Sequence, residues 1–349
     1  MENSCQRRVV TIAILIVLAL AGWLAYWVFN ELMMEEVSFV SDRDGNWEIY
    51  LIRADGNNLR RLTNQPADDF DINWASNGRQ LAFVSVPKDG PYEVHVLDIQ
   101  NDKAQTVVAA GRSQDWQPAW SPAGEWIAYA SYRLWDGSSF PQFDVYLVRP
   151  DGNEEYNLTN NPANDYEPAW SPDGNWIAFV SGRAGYPAIY LVQPDGAGLK
   201  PLTEALGSSA NPVWSPDGNF VAFECYTRPN ENDICVIDVR NGEWRKLTDH
   251  PANDRFPAWS PNGKELVFVS ERDGNKEIYL VNMEVGATRN LTNHPAPDWD
   301  PHWSPSGARI AFTSERDGNR EIYVMNASGK NVVRLTNDLY YEGWLAWRP

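Results

Sequence analysis

The sequence predicts an all-β protein, a seven-bladed β-propeller with a composite closing blade, preceded by one N-terminal transmembrane helix. Three observations predict this architecture: an uncharged apolar segment near the N-terminus, seven copies of a Trp-centred pattern, and an order of strands that lets the last copy complete the first. Four short strands per unit at a period of about 45 residues are typical of propellers, in which neighbouring sheets bury the faces that a single sheet would expose.

The N-terminal segment 9–29 contains no charged residue and is long enough for a helix to cross a hydrocarbon core of about 30 Å. Arg7 and Arg8 precede the segment and acidic residues follow it, so the positive-inside rule places residues 1–8 in the cytoplasm. A cleaved signal peptide is the alternative, because Ala19-Leu20-Ala21 fits a small-residue cleavage site.

Either interpretation places most of the chain outside the cytoplasm. With an uncleaved anchor, the protein is a single-pass membrane protein that contacts the membrane through its N-terminal helix. Residues 30–36 are then a short linker, and residues 37–349 form an extracytoplasmic propeller.

Each repeat is centred on a Trp that is followed in most copies by Ser-Pro-x-Gly, a tight turn in which Pro presets φ and Gly accepts a positive φ. A Phe-Val-Ser-like strand, an Ile-Tyr-Leu-like strand and a short segment ending in Leu-Thr follow. These short β-branched and aromatic runs between turn signals indicate strands. The repeat Trp residues are Trp74, Trp120, Trp170, Trp214, Trp259, Trp303 and Trp347.

The order of strands predicts how the ring closes. The first unit begins with the Phe-Val-Ser-like strand at residues 37–41, and the chain ends with a lone Trp strand at residues 345–349. We therefore expect the C-terminal strand to be the innermost strand of a blade whose other three strands are N-terminal. This pairing removes the open edges of a linear array.

The seven Trp-turn-strand units resemble those of the TolB-type, WD-repeat-like propeller family over residues 37–349. The resemblance implies an extracytoplasmic propeller that binds or scaffolds other molecules. TolB itself has six blades and an additional N-terminal domain, whereas seven blades are counted here, so its partners are not carried over.

Composition and motifs narrow the function. The chain has 29 basic and 47 acidic residues, a net charge of −18, which argues against nucleic-acid binding. The sequence contains no Gly-x-Ser-x-Gly elbow, P-loop, His-Glu-x-x-His or dinucleotide fingerprint. We therefore predict a non-catalytic interaction platform without a cofactor, which presents an acidic loop face to a protein, peptide or glycan.

Six of the seven repeats have an acidic residue five positions before the Trp, and five repeats have an Arg two positions after the Ser that ends the next strand. Because these two strands are antiparallel neighbours, we expect ion pairs within blades; as exposed pairs, each would contribute about 0–1 kcal/mol. The unit without the acid, at Ser209, also lacks the Arg, at Thr227. The predicted pairs are Asp115–Arg133, Asp165–Arg183, Asp254–Arg272, Asp298–Arg316 and Glu342–Arg43.

Acidic residues outside these pairs are the candidate ligand-binding residues. Asp71, Glu167 and Asp300 lie three positions before their Trp, and Asp69 faces Pro87 instead of an Arg. We expect these four carboxylates at the mouth of the channel, although solvated surface acids are the simpler alternative. The longest connection between second and third strands, residues 132–144, contributes Trp135, Phe140 and Phe143 to the same face.

Three His residues support an alternative enzymatic function. His250 and His294 occupy equivalent loops and His302 adjoins Trp303, and three His with a carboxylate are a possible transition-metal site. Some metal-dependent polysaccharide lyases are seven-bladed propellers with a His-rich site, so a lyase-like enzyme is the second hypothesis. Cys225 and Cys235 lie in one blade and are a possible disulfide, with two buried free thiols as the alternative.

Overall fold

The computed structural model describes residues 34–101, 103–108, 113–134, 141–228 and 231–349. In these residues 28 strands form seven four-stranded antiparallel sheets. We number the blades from the composite one: blade 1 joins residues 342–347 to residues 36–61, and blades 2–7 follow in chain order. The all-β, seven-bladed propeller predicted from the sequence is confirmed.

The innermost strands carry the repeat Trp. In blades 1 to 7 they are Glu342–Trp347, Asp68–Trp74, Gln114–Trp120, Asp165–Trp170, Ser209–Trp214, Asp254–Trp259 and Asp298–Trp303. The second strands are Glu36–Ser41, Gln80–Val86, Ile127–Leu134, Ile177–Ser181, Phe220–Arg228, Glu265–Ser270 and Arg309–Ser314.

The third and outermost strands complete each blade. The third strands are Glu48–Arg53, Glu93–Asp98, Pro141–Val148, Ala188–Val192, Glu231–Asp238, Glu277–Asn282 and Glu321–Asn326. The outermost strands are Arg60–Arg61, Lys103–Val108, Glu155–Asn157, Lys200–Pro201, Trp244–Lys246, Thr288–Asn290 and Val333–Arg334. A short 3-10 helix, Glu204–Leu206, follows the outermost strand of blade 4.

The second and third strands are covered on both faces by neighbouring blades. All five residues of Ile177–Ser181 and of Ala188–Val192 are buried, which explains why these strands read as continuous apolar runs and do not alternate. The turn after the innermost strand has the geometry that its Ser-Pro-x-Gly sequence predicts. In blade 3, Gly124 has φ +72° and donates to the carbonyl of Ser121 at 2.9 Å.

The innermost strands form a closed circle in which each strand contacts the next. In blade 1 the C-terminal strand pairs with the first strand, with Val37 opposite Trp347 and Ser41 opposite Glu342. The repeat Trp also links blades, because the indole Nε1 of Trp347 donates to the carbonyl of His302 at 2.9 Å. Trp170, Trp214 and Trp259 repeat this bond to the preceding blade at 3.1, 3.0 and 3.1 Å.

A β-bulge in every innermost strand shifts the register by one residue. Trp303 pairs with Ile310, but Asp298 lies opposite Ser314, whereas an uninterrupted register would place it opposite Glu315. The bulge residue three positions before each Trp has a positive φ, from +46° at Trp344 to +56° at Asp71. The bulge therefore places these residues and the acids five positions before the Trp in different surroundings.

Residues 1–8, the apolar segment 9–29 and most of the linker lie outside the described residues. No helix in the described part of the chain is both long and apolar enough to cross a membrane. The first strand begins at Glu36, one residue before the predicted start of the propeller.

Ring closure predicts different consequences for two equivalent Trp residues. Trp347 and Trp120 are 8% and 6% exposed, so either substitution to Ala should lower the free energy of unfolding by about 3–5 kcal/mol. Only Trp347→Ala should also expose the C-terminal strand, because no hairpin turn joins that strand to its partner strand Glu36–Ser41. Limited proteolysis with mass spectrometry should show early cleavage near residues 338–345 in that variant. Equal resistance of both variants would contradict this role.

Candidate functional site

The candidate site is the loop face, where the innermost strands begin and the second strands end. On this face the structure brings together each acid with the Arg predicted to pair with it. The shortest N–O distances are 3.7 Å for Asp115–Arg133, 2.9 Å for Asp165–Arg183, 2.8 Å for Asp254–Arg272, 3.1 Å for Asp298–Arg316 and 2.5 Å for Glu342–Arg43. The five acids are fully buried, so the expectation that these pairs are exposed is wrong, and the contribution of about 0–1 kcal/mol given for exposed pairs does not apply to them.

We call this recurring arrangement the arginine clasp: the acid, the Ser that ends the second strand, the Arg and two aromatic rings. In blade 4, Arg183 Nε donates to Ser181 Oγ at 2.7 Å and Nη2 to Asp165 at 2.9 Å. Its guanidinium carbon lies 5.4 Å from the ring centre of Phe179 and 4.8 Å from that of Tyr190. Each clasp therefore neutralises a buried carboxylate and covers an aromatic pair at the junction of two blades.

Two blades lack the clasp Arg. In blade 5, Ser209 replaces the acid, and Cys225 and Cys235 form a disulfide with their Cα atoms 5.8 Å apart. In blade 2, Asp69 is retained, but the position of the Arg is occupied by Pro87. Asp69 lies buried between blades 1 and 2, away from the channel mouth where it was expected, and accepts a hydrogen bond from Ser85 Oγ at 2.6 Å.

Burial raises the pKa of several of these carboxyl groups, because a low-dielectric environment penalises the charged form. The pKa of Asp69 rises to about 7 and that of Glu342 to about 8. The pKa values of Asp115 and Asp165 rise to about 6, and in both cases the adjacent Arg opposes the effect of burial.

Asp71, Glu167 and Asp300 are the bulge residues of blades 2, 4 and 7 and bind the backbone of the next blade. Asp71 Oδ2 accepts from the Gln117 amide at 2.7 Å, and Glu167 Oε2 accepts from the Asn211 amide at 2.6 Å. Asp300 Oδ2 accepts from the Leu345 amide at 3.1 Å. These acids therefore connect neighbouring blades around the channel, a structural role that the sequence analysis did not include.

The pKa values of the bulge acids shift in different directions. Burial raises the pKa of Asp71 to about 6 and also raises that of Glu167. Burial acts on Asp300 in the same direction, but the charge and hydrogen bond of His302, 2.9 Å away, outweigh it and hold the pKa of Asp300 below its ordinary value. Reciprocally, Asp300 raises the pKa of His302 against the effect of burial.

The three His residues of the metal hypothesis have separate local partners. His250 Nδ1 and His294 Nδ1 accept from the amides of Ala252 and Ala296, both at 3.1 Å, and His302 pairs with Asp300. Within the described ranges, no three His, Cys, Asp or Glu side chains form a group able to hold a metal ion.

A cavity of about 450 Å³ opens on the loop face beside the channel, between blades 6, 7 and 1. We call it the channel-mouth pocket. Phe256, Trp299, Tyr341 and Trp344 supply its aromatic surface, and Asp300 supplies a carboxylate. Lys276 and Arg320 also line it, with their charged groups 5.4 and 4.1 Å from the ring centre of Trp299.

The aromatic surface of this pocket continues across blades 1 to 3. The ring centres of Trp344 and Trp47 are 4.9 Å apart, those of Trp344 and Phe70 are 5.6 Å apart, and Tyr92 stacks on Trp116 at 4.3 Å. This aromatic surface was not predicted from the sequence. The sequence feature that marks it is an aromatic residue four positions before several repeat Trp residues, as at Phe70, Trp116 and Trp299.

A second missed set consists of buried acids at the beginning of third strands, which hold the loops that lead to the next blade. Glu48 accepts from Thr63 Oγ1 at 2.6 Å, from the Gln65 amide at 3.2 Å and from Arg61 Nη2 at 2.7 Å. In the sequence these residues are recognisable as an acid at or near the start of the third strand. The equivalent acids in other blades are Asp144, Asp233, Glu277 and Glu321.

The predicted loop 132–144 is partly strand. Pairing continues to Arg133 opposite Gln142 and Leu134 opposite Pro141, and the rings of Tyr132 and Phe143 lie 4.9 Å apart. Trp135 and Phe140 lie outside the described residues. The extended hairpin shortens the loop that was expected to contribute an aromatic lid.

Comparison with known proteins identifies the repeat. The model of the TolB β-propeller domain matches residues 88–255 and 195–346. The Tol-Pal system protein TolB of Desulfosudis oleivorans is 31% identical over 123 residues, which cover 35% of this chain and 26% of that protein. The matches to curated relatives span only 26–36% of the length of those proteins.

Solved structures share the fold at low sequence identity. TolB from Acinetobacter baumannii has a TM-score of 0.59 and 16% identity, covering 91% of this chain and 67% of that one. An oligogalacturonate lyase in complex with manganese has a TM-score of 0.69 and 18% identity, covering 83% and 85%. At these identities the likeness concerns the fold alone.

The bulge acids predict opposite pH effects on stability. The folded-state pKa of Asp71 is about 6 against an ordinary value of 3.8, so ionisation weakens the fold as pH rises between these values. The stability of Asp71→Asn relative to that of the wild type should therefore increase by about 1–2 kcal/mol from pH 4 to pH 7. Denaturant unfolding at a series of pH values measures this difference.

Asp300→Asn is the matched control with the opposite sign. The lowered pKa of Asp300 and the raised pKa of His302 stabilise the folded state above the ordinary Asp value, and this contribution declines as pH rises through the folded-state pKa of His302. Asp300→Asn should be less stable than the wild type near pH 5–6, and the deficit should decrease toward pH 8. Parallel pH profiles for the two variants would contradict these assignments.

Proposed function

The chain belongs to the TolB β-propeller family, and from that premise we propose that it is a non-catalytic, extracytoplasmic interaction platform. Its partner, a protein or peptide, would bind on the loop face at the channel-mouth pocket. The observation that carries this proposal is the half-buried aromatic surface of that pocket and its continuation across blades 1 to 3.

Aromatic side chains of this kind favour partner binding for two reasons. They offer a large contact area, and their packing against the core leaves little conformational entropy to lose on binding. Phe256 illustrates the accessible part of the surface, because it is 50% exposed at a bulge position in the channel wall. A closed ring of blades holds these groups in place before the partner arrives.

The charge of the chain narrows the partner further. A net charge of −18 attracts basic partners and makes their association sensitive to salt. Lys276 and Arg320 do not reverse this preference, because Arg320 pairs with Glu315 at 3.6 Å and the net charge of −18 already includes both cations. A basic protein segment with apolar or aromatic side chains therefore fits the pocket better than an uncharged glycan does.

We propose a single-pass location, with the propeller outside the cytoplasm and the segment 9–29 as an uncleaved anchor. The uncharged segment and the preceding Arg7 and Arg8 support this location. The disulfide between Cys225 and Cys235 also supports it, because such bonds persist in oxidising compartments. One relative is named as a protein of the Tol-Pal system, but this chain spans about a quarter of its length. Membership of that system is not proposed.

Site-specific photo-crosslinking tests the platform directly. A benzophenone amino acid at Tyr341 on the loop face should form an adduct with a discrete partner in cells that express the full chain. The same probe at Asn262, in a turn on the opposite face, is the matched control and should give none. Adducts that are absent at Tyr341, or equal at both positions, would contradict the proposal.

The accessible aromatic group should contribute measurably to this binding. Phe256→Ser should weaken association of the crosslinked partner by about tenfold, because it removes apolar contact without opening the core. Tyr156→Ser, at an exposed aromatic residue on an outermost strand, should leave association unchanged. Titration of the purified partner against each variant by calorimetry measures both effects.

Metal analysis distinguishes the lyase hypothesis from the non-catalytic proposal. If His250, His294 or His302 served a lyase-like site, the purified protein would bind manganese or zinc stoichiometrically and lose it on His302→Ala. We expect no stoichiometric metal, because the described part of the chain brings no three His, Cys, Asp or Glu side chains together as a ligand set. Stoichiometric binding that depends on His302 would overturn the non-catalytic proposal.

A further inference from the structure

Blade 2 has an arginine clasp without its Arg. A cavity of about 610 Å³ lies between blades 1 and 2 on the loop face, and its lining includes Asp69, Ser85 and Phe83, the clasp acid, hydroxyl and ring of this blade. His95 replaces the Tyr of the other clasps, and its ring centre lies 5.5 Å from that of Phe83. The site that an internal guanidinium occupies in five blades therefore holds no Arg in blade 2, where the cavity borders the buried acid, hydroxyl and ring of the clasp.

The groups that would recognise a cation are in place. Asp69 is 1% exposed, and its carboxylate is held by Ser85 Oγ at 2.6 Å. Among the described side chains, no cation forms an ion pair with Asp69, whereas the five clasp acids each pair with an Arg. In those clasps the Arg Nε donates to the equivalent Ser at 2.6–2.9 Å, which defines where a bound guanidinium would lie.

Neighbouring cations of the chain do not substitute for the missing Arg. Arg60 and Arg61 line the cavity without forming an ion pair with Asp69, and Arg61 pairs instead with Asp44 and Glu48, both at 2.7 Å. The equivalent residue of blade 7, Arg334, makes the same kind of pair with Asp317 and Glu321, and the adjoining clasp of blade 1 still holds Arg43. A cation at the position of Arg61 is therefore compatible with a guanidinium in the adjoining clasp.

Blade 5 shows how the fold accommodates loss of the whole clasp. There the acid is replaced by Ser209, which hydrogen-bonds with Thr203, and the Ser and Tyr positions are filled by the disulfide-bonded Cys225 and Cys235. Blade 2 has instead lost the Arg and kept the buried acid, which costs stability unless a cation is supplied.

We propose that this cavity is a guanidinium slot, which binds an arginine side chain of the protein or peptide partner. The inference rests on the proposed function, in which the loop face binds a basic partner, and it names one side chain of that partner. In the slot the guanidinium would donate to Asp69 and Ser85 and lie over Phe83, as the internal Arg residues do in the five clasps.

Binding of a defined probe to the full-length protein tests the slot. Nα-acetyl-arginine amide should bind with one site per chain, and the neutral citrulline analogue should not bind. Asp69→Asn should weaken probe binding by at least about tenfold, because it removes the buried charge. Asp71→Asn, which removes an acid from the same strand, is the matched control and should leave the affinity unchanged.

Two further variants use the repeat itself. Pro87→Arg should supply the missing side chain, raise the melting temperature and abolish probe binding. Arg183→Ala should open the equivalent slot in blade 4, so that the probe binds at two sites and raises the melting temperature of this variant more than that of the wild type. These outcomes depend on clasp chemistry and not on net charge.

Several results would overturn the proposal. They are failure of the wild type to bind the probe, binding that survives Asp69→Asn, and binding of free arginine in preference to the blocked form, which would assign the slot to a metabolite. If the probe fails while a partner still crosslinks at Tyr341, the slot is wrong and the platform stands. If the probe binds as expected while no partner crosslinks, the platform is wrong.

Discussion

The structure depends on ring closure, because a blade can bury both faces of its second and third strands only when it has a neighbour on each side. The apolar runs in these strands leave no polar face for solvent, so an open array would expose a complete face at each end. The C-terminal strand prevents this by pairing with Glu36–Ser41. Its Trp347 then repeats the indole-to-carbonyl bond that Trp170, Trp214 and Trp259 make to their preceding blades. Pairing of the first and last strands therefore buries the faces of blade 1 in the same way as the contacts between the other blades do.

The fold could be predicted from the sequence because closure leaves a pattern in the chain itself. A unit that begins with a second strand and a chain that ends with a lone innermost strand imply a composite blade, as observed. The bulge could not be predicted in this way. Its position is held by residues as different as Asp71, Phe256 and Trp344, all with positive φ, so no residue type marks it. The geometry is imposed by the packing of innermost strands around the channel and not by local preference.

The candidate residues also divide into those marked by the repeat pattern and those whose roles depend on a neighbouring blade. Acid and Arg positions that are both occupied in five units and both lost in one identified the partners of the five clasps from spacing alone. The roles of Asp71, Glu167 and Asp300 depend on the amide of the next blade, which lies more than 40 positions away and carries no side-chain signal. Likewise, the aromatic surface is assembled from different strand positions in five blades, so it becomes visible only when the ring is closed.

In a repeat protein the positions that recur maintain the scaffold, so departures from the repeat are the places where function can be added without loss of the fold. The departures here are concentrated on the loop face. Trp344 and Phe256 replace polar bulge residues beside the channel, and Pro87 replaces a clasp Arg between blades 1 and 2. The first change adds apolar rings to the channel wall, and the second leaves the buried Asp69 without the cation that its equivalents have in five blades. A partner that covers the rings and supplies a cation would complete both features, which makes the irregularities of this propeller more informative about function than its repeats.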